Sequence, residues 1–201
     1  METWERTLFM VKPDGVKRGL VGECLKRLEN AGLKVTAMKM VYPTKKQAED
    51  HYPNERDDIE WFKTVAKKGR EGYEKRGLKF PYEDMEYARN VKRWLVDYLT
   101  SGPVVVSVIE GPNAIEMVRK ICGATEPGQA TVGTIRGDFS VDTYKLANSL
   151  ERPLKNLVHA SSSQKDAEKE IKVWFKKEEI LDYKRFDEDG MFGGWKSESS
   201  G

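Results

Sequence analysis

The sequence contains few of the residues that build disulfide frameworks and zinc sites. Its 201 residues include only two cysteines, Cys24 and Cys122, and only two histidines, His51 and His159. The cysteines form no C-x-x-C pair and have no histidines at zinc-site spacing, so neither kind of framework is indicated. We interpret each cysteine as a buried, reduced thiol, which favours a cytoplasmic protein.

Long apolar segments are also missing. No run reaches the roughly 18 apolar residues that a membrane-spanning helix needs. The first six residues, METWER, lack the charged-then-apolar order of a signal peptide. We therefore expect no membrane contact. The last residues, 191–201, are rich in glycine and serine, and we expect them to form a disordered tail.

A strong excess of one charge is absent as well. The 35 Lys and Arg residues nearly balance the 33 Asp and Glu residues, which gives a formal net charge of +2. A dedicated nucleic-acid-binding protein usually carries a strong basic excess, so that function is not favoured. A small anionic ligand held by a few local cations is still compatible with this balance. The apolar residues, 38% of the chain, fall in periodic runs that can form a core.

These periodic runs predict alternating strands and helices. Strands are predicted at residues 7–11, 33–42, 104–109 and 154–160, and helices at residues 20–30, 44–52, 114–121 and 163–175. Their order matches a ferredoxin-like split β-α-β arrangement, which is an α+β fold with a four-stranded antiparallel sheet.

Two stretches fall outside this alternation. Residues 57–97 are rich in Lys, Glu and Arg with interspersed aromatic residues, and they predict a helical insertion of two or three amphipathic helices broken near Gly69, Gly77 and Pro81. Residues 123–138 form a Gly/Pro/Thr-rich loop without periodicity. A loop of that kind in a compact domain is usually functional or disordered.

His159 is the stronger catalytic candidate of the two histidines. It ends an apolar strand, and Glu170 follows eleven positions later in a helix that begins directly after the histidine. The carboxylate can therefore fold back to hold one ring nitrogen, which would fix the tautomer and leave the other nitrogen free to attack. A lone histidine is more often structural, and that alternative stays open for both histidines.

Cations and donors for phosphate chemistry are also present. Lys12 lies on a strand-ending turn, Arg119 on the helix before the long loop, and Arg136 in a glycine-flanked segment, while Thr125 adds a hydroxyl. Taken singly, each cation is more typical of a solvated surface charge. The sequence has no G-x-x-x-x-G-K-[ST] motif and no G-x-G, so any phosphates must be held by side chains.

Four motifs in this order resemble the nucleoside diphosphate kinase family. The family signature N-x-x-H-[GA]-S-D is matched by residues 156–162, NLVHASS, with Ser162 in place of the aspartate. The other motifs are residues 6–16, RTLFMVKPDGV, residues 133–139, GTIRGDF, and residues 167–171, AEKEI. The resemblance implies one kinase domain over residues 1–190, with the helical insertion and a shorter insertion at 142–155.

The resemblance implies a role for each matching residue. His159 would be the phosphorylated nucleophile, and Glu170, Ser161 and Lys12 would support catalysis. The nucleotide would be held by a larger set: Lys12 and Asn156 at the ribose and phosphate, Tyr52 near the histidine, Trp61 (or its neighbour Phe62) against the base, and Arg119, Thr125 and Arg136 at the phosphates.

The resemblance also implies a reaction and its partners. The family uses a ping-pong cycle between nucleoside triphosphates and diphosphates, with Mg²⁺ bound mainly through the nucleotide phosphates. Its members form hexamers or tetramers, so we expect a homo-oligomer. Two alternatives stay open: a catalytically silent paralogue that binds nucleotides or acts as a scaffold, and a ferredoxin-like nucleic-acid-binding domain.

Overall fold

A four-stranded antiparallel sheet organises the residues that the computed structural model describes, 4–74 and 77–193. Its strands are β1 (Trp4–Val11), β2 (Lys34–Val41), β3 (Val104–Pro112) and β4 (Val158–Ala160), in the spatial order β2-β3-β1-β4. All three neighbouring pairs are antiparallel. The predicted ferredoxin-like sheet is confirmed.

The helices begin and end close to the local sequence signals. They are α1 (Pro13–Lys17), α2 (Val21–Asn30), α3 (Lys45–His51), α4 (Ile59–Glu74), α5 (Asp84–Leu99), α6 (Ala114–Cys122), α7 (Ile135–Phe139), α8 (Tyr144–Ser149), α9 (Gln164–Trp174) and α10 (Glu188–Phe192). Thr44 and Gln47 form a capping box at the start of α3, and the Ser163 hydroxyl accepts from the Asp166 N–H at the start of α9.

The core lies on both faces of the sheet, because successive side chains of a strand project to opposite faces. On β1, Phe9 packs with α2 and α6, whereas Leu8 and Met10 pack with α3, α5 and α9. None of the helices in the described part of the chain is long and apolar enough to cross a membrane.

The insertion at residues 57–97 contains two long helices, α4 and α5, which are separated near Gly77 and Pro81 as predicted. The predicted break at Gly69 is wrong, since α4 continues through it. A Cβ at Gly69 would lie only 2.2 Å from the Tyr87 ring, so this glycine permits close packing of the two helices. Tyr82 and Tyr87 also donate to Glu151 (3.0 Å) and Asn148 (3.3 Å), which joins the insertion to the α8 segment.

Three other predicted boundaries also need correction. The strand predicted at residues 154–160 pairs only from Val158, because Leu157 has a positive φ of 66° and takes the backbone out of the extended conformation. The loop 123–138 contains a 3₁₀ turn, Pro127–Gln129, and the start of α7. Residues 191 and 192, predicted to lie in the disordered tail, instead form the end of α10, and the Phe192 ring packs 5.6 Å from that of Trp4. Residues 194–201 lie outside the described residues.

Candidate active site

His159 lies on the edge strand β4, opposite Met10 of β1. Directly opposite residues of antiparallel strands project to the same face of the sheet. Met10 packs on the face that carries α3 and α9, so the His159 side chain stands beside those two helices. That side chain is 21% exposed, which leaves the ring accessible to a ligand.

Glu170 of α9 holds the His159 ring. Its Oε2 lies 2.9 Å from His159 Nε2 and accepts a second hydrogen bond from the Ser161 hydroxyl at 2.6 Å. The Ser161 hydroxyl in turn accepts from the Leu8 N–H at 3.2 Å. Burial opposes ionisation of Glu170, but the His159 ring and these donors outweigh it, so the pKa of Glu170 lies below its usual value. The carboxylate is therefore anionic, which places the His159 proton on Nε2 and leaves Nδ1 with a free lone pair.

His51 is a component of the site that the sequence did not single out. Its ring is 3% exposed and lies 4.5 Å from the His159 ring, at an interplanar angle of 76°. The Trp174 indole N–H donates to His51 Nδ1 at 3.3 Å. Burial, together with the nearby His159, lowers the pKa of His51 to about 3. His51 is therefore a neutral ring at physiological pH.

We expect this neutral His51 to make the fold sensitive to acid. The unfolded chain gains the His51 proton as pH falls below the ordinary value of 6.5, whereas the folded chain does not until about pH 3. The contribution of the neutral His51 to the free energy of unfolding is thus complete above pH 6.5. It decreases at lower pH, by about 2 kcal/mol between pH 7 and pH 5. Urea unfolding at both pH values measures this change.

The control for the acid prediction is His51→Leu, which has no group to titrate at this position. Other titrating groups contribute to both proteins, so the difference between their two pH dependences isolates His51. Equal losses of unfolding free energy between pH 7 and pH 5 in the two proteins would contradict a neutral buried His51.

A second group of polar side chains lies on the segments before β4 and after β1. Lys12 Nζ donates to Asn156 Oδ1 at 2.8 Å, and Asn156 Nδ2 donates to the Thr125 carbonyl at 2.9 Å. Burial, with the nearby charge of Arg136, lowers the pKa of Lys12 to about 8. The structure thus connects the strand-ending turn, the long loop and the segment that leads to His159.

Arg136 connects the long loop to this same segment. Its guanidinium donates to the carbonyls of Gly123 (2.7 Å), Asn156 (3.2 Å) and Val158 (2.7 Å). The side chain is buried, and burial lowers the pKa of Arg136, with a further contribution from the charge of Arg119. All three predicted phosphate-binding cations are therefore electrostatically coupled, from Lys12 through Arg136 to Arg119.

These three cations form no ion pair with any carboxylate of the described residues. Among the ion pairs formed within residues 4–74 and 77–193, none includes Lys12, Arg119 or Arg136. Lys12 and Arg136 are also buried, so water does not replace the missing partner as it does for an unpaired cation on the surface. A group of neighbouring cations without ion-pair partners favours binding of a polyanionic ligand.

The other predicted site residues are placed less uniformly. Tyr52 is buried beside His51, with ring centroids 5.0 Å apart, and Thr125 is exposed in the long loop. Ser162, the departure from the family signature, donates to Asp166 of α9, so a carboxylate is still present next to it.

Trp61 packs on Phe62 within the insertion. The described contacts do not bring Trp61 to His159, and its stacking on a base stays a prediction.

Comparisons with known proteins agree with this geometry. The model of the family described as nucleoside diphosphate kinase matches residues 5–73 and 74–180. The chain is 46% identical over 183 residues to the nucleoside diphosphate kinase of Pyrobaculum aerophilum, covering 89% of this chain and 98% of that protein. It is 42% identical over 188 residues to the one of Archaeoglobus fulgidus, covering 94% of this chain and 97% of that protein.

Solved structures give the same result. The crystal structure of an NDP kinase from Pyrobaculum aerophilum is similar, with a TM-score of 0.84, 44% identity, and coverage of 89% of this chain and all of that chain. A Borrelia burgdorferi nucleoside-diphosphate kinase structure, a transition state mimic with bound vanadate and ADP, has a TM-score of 0.78 and 37% identity, covering 94% of this chain and 98% of that one. The chain belongs to the nucleoside diphosphate kinase family.

Proposed function

We propose that this protein transfers the γ-phosphoryl group of a nucleoside triphosphate, typically ATP, to a nucleoside diphosphate through phosphorylated His159. The position of His159 beside a group of cations is the observation that supports this proposal. His159, oriented by Glu170 at 2.9 Å, stands near a coupled group of cations, Lys12, Arg119 and Arg136, that have no carboxylate partners among the described residues.

Each half of the cycle is an in-line displacement at phosphorus. The His159 Nδ1 lone pair forms the N–P bond while the bond from the γ-phosphorus to the β,γ-bridging oxygen breaks, and the diphosphate leaves with that electron pair. A second diphosphate then attacks the phosphohistidine and reverses these steps. Glu170 stabilises the positive charge that develops on the ring. Because no water is activated, the protein supplies positioning and charge neutralisation.

Mg²⁺ belongs to this proposal as a cation bound through the nucleotide phosphates. Mg²⁺ prefers oxygen ligands and binds through few carboxylates together with substrate phosphates. The carboxylate beside His159 already accepts two hydrogen bonds on Oε2, so the site fits a cation that arrives with the nucleotide. When bound, Mg²⁺ neutralises part of the phosphate charge.

A homo-oligomer, a hexamer or a tetramer, is a further part of the proposal. The edge strand β2 exposes Met38 (54%) and Met40 (60%) on alternate positions, and Tyr42 (75%), directly after the strand, is exposed as well. Exposed apolar side chains on one face of an edge strand favour contact with another chain. Buried free thiols at Cys24 and Cys122 agree with the proposed cytoplasmic location.

Incubation with γ-labelled ATP and Mg²⁺, without an acceptor, tests the proposed function. We expect an acid-labile, base-stable label on the protein, and we expect GDP or CDP to discharge it as the labelled triphosphate. Failure to label would make the group a nucleotide-binding site without transfer, as in a catalytically silent paralogue.

We also expect an alkaline limit set by Lys12. With its pKa at about 8 in the free protein, Lys12 loses its charge above that pH, so kcat/KM should fall about tenfold per pH unit beyond it. Steady-state rates from pH 6 to 10 measure the limit.

The control is Lys12→Arg, since arginine keeps its charge throughout this range. Its kcat/KM will be lower because the contact with Asn156 changes, but it should not decline near pH 8. An unchanged decline in this variant would assign the alkaline limit to another group.

A further inference from the structure

His51 is a buried polar group that the proposed phosphoryl transfer does not use. It lies on α3, and its ring nitrogen, a ring nitrogen of His159 and a carboxylate oxygen of Glu170 all lie within 4.8 Å of one another. The His51 ring meets the His159 ring edge to face, at 4.5 Å. These contacts come from three separate elements, α3, β4 and α9.

Two histidines and a carboxylate at this separation also have the composition of a zinc site. The contact with Trp174 argues against that use of His51. An indole N–H is only a donor, so His51 Nδ1 accepts from it at 3.3 Å and the single proton of the neutral ring resides on Nε2. His51 therefore presents an N–H group to its surroundings and has no free lone pair for a metal ion.

The His51 Nε2–H has no hydrogen-bond acceptor among residues 4–74 and 77–193. Buried donors without acceptors are rare in proteins, because leaving them unpaired is unfavourable. The anionic acceptor near this ring is the Glu170 carboxylate, whose charge the His51 side chain senses. A ring nitrogen of His51 lies within 4.8 Å of a Glu170 carboxylate oxygen. A donor group at this separation favours the ionised carboxylate, which is the form that holds the His159 proton on Nε2.

We propose that His51 is a positioning residue for phosphoryl transfer: Trp174 fixes its tautomer, its ring holds the His159 ring edge to face, and its N–H keeps Glu170 ionised. This inference rests on the proposed function of His159. His51 does not contact the transferred group. It acts through His159 and Glu170, so it should affect kcat and its pH dependence more than KM.

The groups that face His51 determine how the pH profile is interpreted. They are His159 on β4, Glu170 and Lys169 on α9, Lys12 at the end of β1, and Tyr52 at the end of α3. Lys12 and Lys169 both disfavour a charged His51, and they are unchanged in the variants below. A change in the acid limit of kcat therefore reports on the Glu170 and His159 pair.

The test compares His51→Leu, which removes the donor, with His51→Gln, which keeps an amide N–H near the position of Nε2. For His51→Leu we expect kcat to fall roughly 10- to 100-fold, as for other partners that orient a reacting group, with KM within about twofold. The acid limit of kcat should rise by about one pH unit, since Glu170 protonates more easily. His51→Gln should restore most of that shift.

Trp174→Phe provides a second test through a double-mutant cycle. Without the indole donor the His51 tautomers can exchange. This variant alone should therefore raise the acid limit of kcat, but by less than His51→Leu does. In the His51→Leu background it should have no further effect on that limit, because its influence passes through His51. Phe and Leu together also leave no unpaired donor, which protects the fold of the double variant.

Circular dichroism and thermal melting confirm that each variant is folded before kinetics are measured. Wild-type kcat and an unshifted acid limit in folded His51→Leu would overturn the inference. So would equal losses of kcat in the Leu and Gln variants with no shift of the limit, which would indicate packing alone. If the wild type itself takes up no label from γ-labelled ATP, the proposed function of His159 fails first, and the two failures are thereby distinguished.

Discussion

His159→Asn is expected to abolish phosphoryl transfer, with a rate loss of about 10⁴-fold or more, as found when a nucleophile is removed. The asparagine side chain has no ring nitrogen with a free lone pair, so no N–P bond can form. The fold should be retained, because the His159 side chain is 21% exposed and its hydrogen bond within the described residues is to Glu170. Labelling by γ-labelled ATP should fall to background.

Glu170→Gln is the matched control for this result. It keeps the shape of the side chain and an acceptor for the Ser161 hydroxyl, but it lacks the charge that stabilises the His159 ring. We expect slow labelling and a kcat reduced by about 10²-fold. His159→Asn and Glu170→Gln should therefore differ in kind, since one removes the acceptor of the phosphoryl group and the other slows its transfer.

Appreciable label on His159→Asn would contradict the assignment of the nucleophile. His51 is the other histidine of the chain, but it is a poor substitute. Its ring is buried, and its Nδ1 already accepts from Trp174. A residual label that survived in the double variant with His51→Leu would exclude both histidines and point to a different side chain.

The His159 and Glu170 contact was predictable because it is local. Only residues 161–163 lie between β4 and α9, and the two side chains are eleven positions apart, so a helix that begins after the strand returns Glu170 to the ring. Periodicity and capping residues contain that information. The sheet was predictable for the same reason, since each strand is an apolar run bounded by turn residues.

The position of His51 could not be predicted in this way. It is separated from Trp174 by 123 residues along the chain, and the contact depends on α3 and α9 packing on one face of the sheet. No local pattern contains such a contact. Gly69 gives a similar lesson, since glycine disfavours a helix, but the packing of Tyr87 against it outweighs that preference.

Arg136→Ala is expected to lower both stability and activity. The buried guanidinium donates to three carbonyls, those of Gly123, Asn156 and Val158. Its loss leaves these acceptors without that donor and removes a charge from the site. We expect the free energy of unfolding to fall by about 3 kcal/mol and kcat/KM to fall by about 10²-fold or more.

Two further variants separate the structural effect of Arg136 from its electrostatic effect. Arg136→Lys keeps the charge, but one ammonium group cannot reproduce the geometry of the guanidinium at three separate carbonyls. Arg136→Lys should have a melting temperature close to that of Arg136→Ala, and yet it should bind nucleotide more tightly than Arg136→Ala. Arg119→Ala should keep the melting temperature of the wild type but bind nucleotide more weakly. Arg119 is exposed, and its side chain makes no hydrogen bond with the described residues.

Nucleotide binding and thermal unfolding of these three variants together decide what Arg136 does. If Arg136 acts only as a charge, Arg136→Lys will resemble the wild type in both measurements. If it acts only as a structural link, Arg136→Lys and Arg136→Ala will lose equal affinity once both are folded. We expect an intermediate affinity for Arg136→Lys with low stability, because the same guanidinium holds the backbone before His159 and contributes to the positive potential that the nucleotide meets.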